Sequence, residues 1–309
     1  MGTGIKKTSV GGQALIEGLM MMGPKNAAIA IRKPDGEIVV DIRNLPPKTV
    51  LSRIPVIRGI IAFIRQMTLG IKALMYSAEF IDMEEEKPSR FEEFLKKVFG
   101  DKLTDLVIYF AVLIAIAFSV GLFIVLPNVI AYFLGFSKTD ARGVILYNLF
   151  EGVIRIGIFF AYLALASQMK DIKRVWMYHG AEHKTIHAYE HGEELTVENV
   201  KKYSTKHPRC GTSFLFLVMI ISVIMFSFVG WHSMLVNILL RILLIPLVAG
   251  ISYEILKIAG RSELKIMNIL RAPGLAFQRF TTREPDDSMI EVAITAFNNV
   301  TIENDNDKW

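Results

Sequence analysis

The sequence predicts an all-α integral membrane protein with four transmembrane helices, a small N-terminal β-hairpin, an amphipathic interfacial helix and a cytoplasmic histidine-rich helix. Three observations predict it. Apolar residues make up 52% of the 309 residues and charged residues 21%, against about 45–50% and about 25% in soluble domains. The apolar excess is gathered into four long blocks rather than spread evenly. Four of the six histidines recur at four-residue intervals within one short segment. The same composition excludes collagen-like, disulfide-rich and disordered chains.

Residues 1–50 form a small element outside the membrane. Ala28 to Arg32 and Glu37 to Ile42 are strand-like runs flanking Lys33-Pro34-Asp35-Gly36. Proline presets one backbone angle and glycine accepts a positive one, so the pair reads as a β-hairpin. Residues 51–103 follow as an amphipathic helix and linker. Between Pro55 and Ile81, Ile60, Phe63, Ile64, Met67, Ile71 and Leu74 fall at helical spacing, while Arg58, Arg65 and Lys72 share the opposite face. A basic face beside an apolar one suits either the cytoplasmic membrane interface or packing against the spans. Glu84 to Pro88 is a charged linker, and Phe91 to Lys102 a short helix.

Residues 104–261 hold the four spans and a histidine-rich loop at 170–212. Leu106 to Leu126, Val144 to Met169, Ser213 to Trp231 and Leu235 to Leu256 are each near the roughly 20 residues that cross about 30 Å of hydrocarbon. Pro127 is expected to end or kink the first. The loop between the second and third spans carries eight lysines and arginines, the other two connections far fewer. Positive charge stays on the cytoplasmic side, so both termini and this loop are expected to face the cytoplasm. The net charge of +5 follows from that bias, and no nucleic-acid partner is expected. The single thiol, Cys210, then sits on the reducing side and forms no internal disulfide. Residues 262–309 are a cytoplasmic tail. Ala272-Pro273-Gly274 reads as a break, Ser288 with Glu291 as a capping box opening a helix from Met289 to Phe297, and Glu303 to Trp309 as an acidic end.

The chemistry concentrates at His179, His183, His187 and His191. Residues four apart lie one above the other on a helix, so neighbouring imidazoles can meet at one ion. Gly192 reads as the stop of that helix. His179-Gly-Ala-Glu182-His183 also fits H-x-x-E-H, in which the histidines hold a metal and the glutamate serves as general base. A divalent ion is expected, zinc first among them, because it makes water acidic near neutral pH. Its third ligand must come from elsewhere. His187 is nearest on the stripe, and Glu254, Glu284 and Asp286 are acidic candidates. The plainer alternatives are a solvated helix face, packed histidines with satisfied hydrogen bonds, or a pH-sensing stripe.

Lys206-His207-Pro208-Arg209-Cys210-Gly211-Thr212 forms a second cluster. His207 and Cys210 are further ligand candidates, or the thiol is a nucleophile activated by nearby basic groups; a turn before the third span is the plainer alternative. Inside the spans, Glu151 and Arg155 lie four apart and Arg241 reaches a similar depth. Charges in hydrocarbon pair or line a cavity, so the three are expected to form one network, as structural glue or as a path.

Four separated motifs together carry a resemblance to a known family. They are Gly11-Gly12-Gln13-Ala14-Leu15-Ile16-Glu17-Gly18 with Met20 to Pro24, the His179 to His183 segment, His207 to Thr212, and Thr281-Thr282-Arg283-Glu284-Pro285. In this order they resemble the YqhQ-like family of bacterial integral membrane proteins, described as predicted metal-dependent enzymes. The resemblance implies a bacterial inner-membrane protein. The first expectation is a metal-dependent hydrolase at the cytoplasmic membrane face, with Glu182 as base and with Glu17, Arg283 and Glu284 covering the site. A lipid-linked or membrane-peptide substrate suits a site at the bilayer edge, and oligomerisation is left open. A metal-binding transporter or channel and a non-catalytic assembly scaffold are the alternatives.

Overall fold

The computed structural model describes residues 8–47, 49–80, 103–136, 140–230, 232–262, 264 and 267–300. They fall into two compact units, the first drawn from residues 1–81, 163–221 and 245–309 and the second from 82–162 and 222–244. The linker at 84–88, the helix expected at 91–102 and the acidic end at 303–309 lie outside the described residues.

The first unit is built on a four-stranded antiparallel meander, β1 (Gly11–Leu15), β2 (Gly18–Met22), β3 (Asn26–Arg32) and β4 (Ile38–Asn44), in that order. The expected hairpin is β3–β4, with Ile31 opposite Val39. Gly36 turns it at φ +91°, and its N–H donates to the Lys33 carbonyl at 2.9 Å. The sheet is larger than the expected hairpin because Gly11 to Met22 supplies a second one. Its turn places Glu17 at φ +52°, a conformation uncommon for a residue with a side chain. Both faces of the meander are covered. Leu15, Met20, Ala27, Ile29 and Ile31 cluster on one side with Ala73. Leu19, Met21, Ala28 and Ala30 join the core on the other.

Helix α1 (Ile57–Ala78) buries its small residues: Gly70 and Ala73 lie against the first face of the sheet, Gly59 meets Gly250 and Tyr253, and Ser77 is buried, while Ile64, Met67, Ile71 and Leu74 stay exposed. Gly70 lets the Gln13 side chain lie against the helix, where a Cβ would stand 2.2 Å from its amide oxygen. The second face packs on α5 (Lys170–Glu190) and α10 (Asp287–Asn298) through Tyr178, Ala181, Ile186, Met289 and Ile290. Helix α5 ends one residue before His191, and Gly192 follows at φ +75°, as its place in the sequence predicts. The short α6 (Val197–Lys201) is capped by the Thr196 side chain, which accepts from the Asn199 N–H.

Two expectations for the tail are corrected. Residues 272–274 do not break the chain: α9 runs from Met267 to Thr281 with Pro273 inside it. Packing overrides the local preference, since a Cβ on Gly274 would stand 2.3 Å from Ser213 Oγ. The cap of α10 is Asp286 rather than Ser288, its carboxylate accepting from the Met289 N–H at 3.0 Å. The Ser288 hydroxyl instead donates to the same carboxylate at 2.6 Å.

Among the described residues, four helical stretches are long and apolar enough to cross a membrane: Phe110–Phe133, Arg142–Ala166, Thr212–Val229 and Leu235–Gly260. The first comprises α2 (Leu103–Val120), a π-turn (Gly121–Val125) and α3 (Leu126–Phe133). Pro127 therefore does not end it. The Leu126 N–H reaches the Gly121 carbonyl, and Pro127 enters α3 in its first turn, where its missing N–H costs least. The others are α4 (Ala141–Ala166), α7 (Thr212–Val229) and α8 (Met234–Arg261). In the second unit, Glu151 accepts from Arg155 and lies 3.0 Å from Arg241 Nη1. Arg241 Nη2 donates to Asn148 Oδ1 at 3.1 Å, and Arg155 Nη1 to Ser222 Oγ at 2.9 Å. The three charges thus form the single network expected of them.

Candidate metal centre

Helix α5 carries the histidines, and three other segments close around it. On α5, His179 and His183 sit one turn apart with ring centroids 4.4 Å from each other. The loop before α7 returns Cys210 to them. One ligand atom from each of His179, His183 and Cys210 lies within 4.8 Å of the others, and all three residues are buried.

Hydrogen bonds settle which ring nitrogens are available. His179 Nδ1 lies 2.7 Å from the Thr281 carbonyl, and His183 Nδ1 lies 2.5 Å from the Thr205 carbonyl. A carbonyl only accepts, so both Nδ1 atoms carry the proton and donate it. That is the usual outer-sphere arrangement of a metal-ligating imidazole, with Nε2 turned toward the ion. His179 Nε2 lies 3.2 Å from Cys210 Sγ. His183 Nε2 is buried without a hydrogen-bond partner. Cys210 also receives the Thr212 N–H at 3.4 Å.

The electrostatics match this geometry. Burial alone would push the Cys210 thiol up, but His183 and His179 outweigh it and hold it well below its ordinary value. Burial likewise works against a charged His179, yet the Cys210 sulfur raises it to about 9. Both directions favour negative charge on the Cys210 sulfur beside positive charge on the His179 ring.

Glu182 stands on the same turn. Its Oε1 accepts from the Gly12 N–H of β1 at 2.8 Å, and its Oε2 is buried with no hydrogen-bond partner. Burial raises its pKa, against the pull of His179 and His183. Gly12 allows this approach, since a Cβ there would stand 2.8 Å from Glu182 Cδ. Gly180 serves the other side of the helix: a Cβ there would stand 2.0 Å from the Arg283 carbonyl oxygen.

A second group adjoins the first. His187, Glu190 and His207 also offer three ligand atoms within 4.8 Å, and the His207 ring lies 5.7 Å from that of His183 and 4.6 Å from that of His187. Glu190 Oε1 accepts from the Thr8 N–H at 2.8 Å and from Arg209. Burial lowers His207 to about 4 and depresses His187. Glu190 is held below its usual range: burial opposes this, and His207 and Arg209 prevail.

The structure therefore distributes the expected ligands differently. Cys210, one of two ligand candidates in the second cluster, joins His179 and His183, while His187 belongs to the neighbouring group. A helix turns about 100° per residue, so each four-residue step drifts by about 40°. Two steps carry His187 away from His179, and His191 lies exposed beyond it, its Nδ1 donating to the His187 carbonyl at 2.7 Å. Glu284 is not in the group: its exposed carboxylate pairs with Lys184 Nζ at 2.8 Å. Glu254 pairs with Arg58, and Asp286 caps α10. Glu17 pairs with Arg174 and lies 3.4 Å from the Tyr178 hydroxyl. Arg283 contributes through its backbone, its N–H donating to the Trp176 carbonyl at 2.9 Å.

Sequence reasoning missed Gln278 and Glu190. Gln278 is fully buried and clamps the ligand loop like a strand partner. Its Oε1 accepts from the His207 N–H and its Nε2 donates to the His207 carbonyl, both at 2.8 Å. A lone glutamine carries no motif signal. Glu190 lies three residues after His187, a helical ligand spacing that was legible.

Residues 54–303 match a family described as "Protein of unknown function (DUF1385)". A Bacillus subtilis (strain 168) protein, "Uncharacterized protein YqhQ", is 35% identical over 296 residues, which cover 93% of this chain and 91% of that protein. No solved structure matches the chain. The chain belongs to this YqhQ-like family.

Proposed function

We propose that this family member is an integral membrane metal-dependent hydrolase working at the cytoplasmic face of a bacterial inner membrane. The observation that carries the reading is the buried convergence of His179, His183 and Cys210 beside a carboxylate whose Oε2 has no partner. The donors fit a divalent ion. Two imidazoles with their Nδ1 protons committed and one thiolate are a zinc set, and three protein ligands are the number catalytic zinc sites use. Zinc held there supplies Lewis-acid activation of water, whose pKa falls to about 7 at such centres.

The chain's own groups supply the rest. Glu182 accepts the proton of an attacking water at Oε2 and returns it to the leaving group. Burial tunes it upward for that task. The Gly12 N–H fixes its other oxygen, and the Thr281 and Thr205 carbonyls fix the two rings. Four apolar helices and a positively charged loop support a position at the cytoplasmic bilayer edge, where a lipid-linked or membrane-peptide substrate has access. Transport is the weaker reading, because Glu151, Arg155 and Arg241 are committed to one another.

The test is Glu182→Gln in detergent-purified protein, assayed for zinc content and for hydrolysis of a panel of micelle-borne esters, amides and phosphoesters. The variant should keep its zinc and lose at least about 100-fold in turnover, the low end for a general base. Equal turnover in variant and parent refutes the assignment.

A further inference from the structure

We propose a second divalent-cation site beside the first, formed by His187, Glu190 and His207. It goes beyond the proposed function, which needs only His179, His183 and Cys210. Three ligand atoms of two imidazoles and a carboxylate lie within 4.8 Å of one another. His207 and Glu190 are each more than nine-tenths buried. His207 Nε2 has no hydrogen-bond partner in that buried position and lies 3.5 Å from Glu190 Oε2.

The surrounding bonds prepare each donor. The Lys206 carbonyl accepts the Nε2 proton of His187 at 2.8 Å, which leaves Nδ1 with its lone pair. Thr8 and Arg209 both bind Glu190 Oε1, so Oε2 is the oxygen left for a cation. Nε2 ligation places the ring proton of His207 on Nδ1 and gives up only the long bond that Nδ1 accepts from the Arg209 N–H at 3.4 Å. For His187 and Glu190 these bonds, a ring N–H donated to a carbonyl and a carboxylate oxygen held by two donors, are the outer sphere that ligating groups show. Two nitrogens and one oxygen, with no sulfur, suit a borderline ion such as zinc, cobalt or nickel rather than magnesium or calcium.

The two sites differ in one donor that spectroscopy reads directly. The first contains a thiolate and the second does not. The test titrates Co²⁺ into metal-stripped, detergent-purified full-length protein. The thiolate charge-transfer band should saturate near one equivalent, while the ligand-field absorption continues to grow to two. A single equivalent accounting for both signals overturns the second site. Bound zinc per chain is then measured after equilibrium dialysis. It should fall from two to one in Glu190→Gln and in His207→Gln, with the thiolate band kept. It should also fall to one in Cys210→Ser, with that band lost. If Glu190→Gln and His207→Gln both retain two ions, the second site is refuted. If Cys210→Ser retains two ions, the thiolate is not a ligand of the first site, and this one stands.

Discussion

Replacing Gly180 by alanine sets two known effects against each other at the centre of the histidine helix. Alanine in a helix interior gains about 0.8–1 kcal/mol over glycine. At Gly180 the new Cβ would stand 2.0 Å from the Arg283 carbonyl oxygen. Real contacts of this kind do not fall below 3.0 Å, so helix and tail must separate by about 1 Å. The obstacle is backbone, held in place by the Arg283 N–H bond to Trp176 and by the Thr281 carbonyl on His179, and no side-chain rotation relieves it. Overpacking of this sort costs about 1–3 kcal/mol and at times more. Because the clash is with backbone, the cost sits toward the upper end of that range, about 2–3 kcal/mol, and after the helix gain Gly180→Ala should be destabilised by about 1–2 kcal/mol. Thermal unfolding in detergent should show a Tm lower by about 2–4 °C per kcal/mol, and zinc affinity should weaken as Thr281 withdraws from His179. Gly157→Ala, whose Cβ meets nothing within 4 Å, is the matched control and should not lower Tm. An unchanged or raised Tm for Gly180→Ala refutes the close approach of tail and helix.

Gln278→Leu removes both side-chain partners of the His207 peptide group while keeping its volume. Each orphaned buried group costs about 1–3 kcal/mol, so Tm should fall and zinc binding should weaken together; Gln278→Glu, which keeps one of the two bonds, should be milder in both. Glu151→Ala leaves Arg155 and Arg241 buried without their shared carboxylate. Breaking a buried pair costs about 3–5 kcal/mol, read as a lower Tm in detergent, while zinc stoichiometry should not change.

Much of the architecture was legible because it rests on local rules. The four apolar helices follow from block length, the β3–β4 turn from Pro34-Asp35-Gly36, and the end of α5 from Gly192. The β1–β2 pair was not legible for a physical reason. Both faces of the meander are buried, so Leu19 to Met22 reads as a continuous apolar run without the alternation that marks a strand. The helix through Pro273 was hidden because the packing of Gly274 on Ser213 decides it. At the candidate site, spacing placed the His179 and His183 rings beside each other, as the structure has them, but could not carry the drift that turns His187 away. Cys210 becomes a neighbour of His179 only when the chain returns from Thr205 through a loop clamped by Gln278. The local cluster marked Cys210 as a ligand candidate, but which histidines it joins is a long-range fact that no local pattern encodes.

Whether His179, His183 and Cys210 bind a divalent ion is read by elemental analysis of detergent-purified protein beside a His179→Ala/His183→Ala double variant. The parent should carry zinc or a related transition ion, and the double variant should lose the thiolate-linked equivalent while remaining folded. Equal metal content in the two proteins, or no ion retained by the parent after equilibration with zinc, would contradict the account.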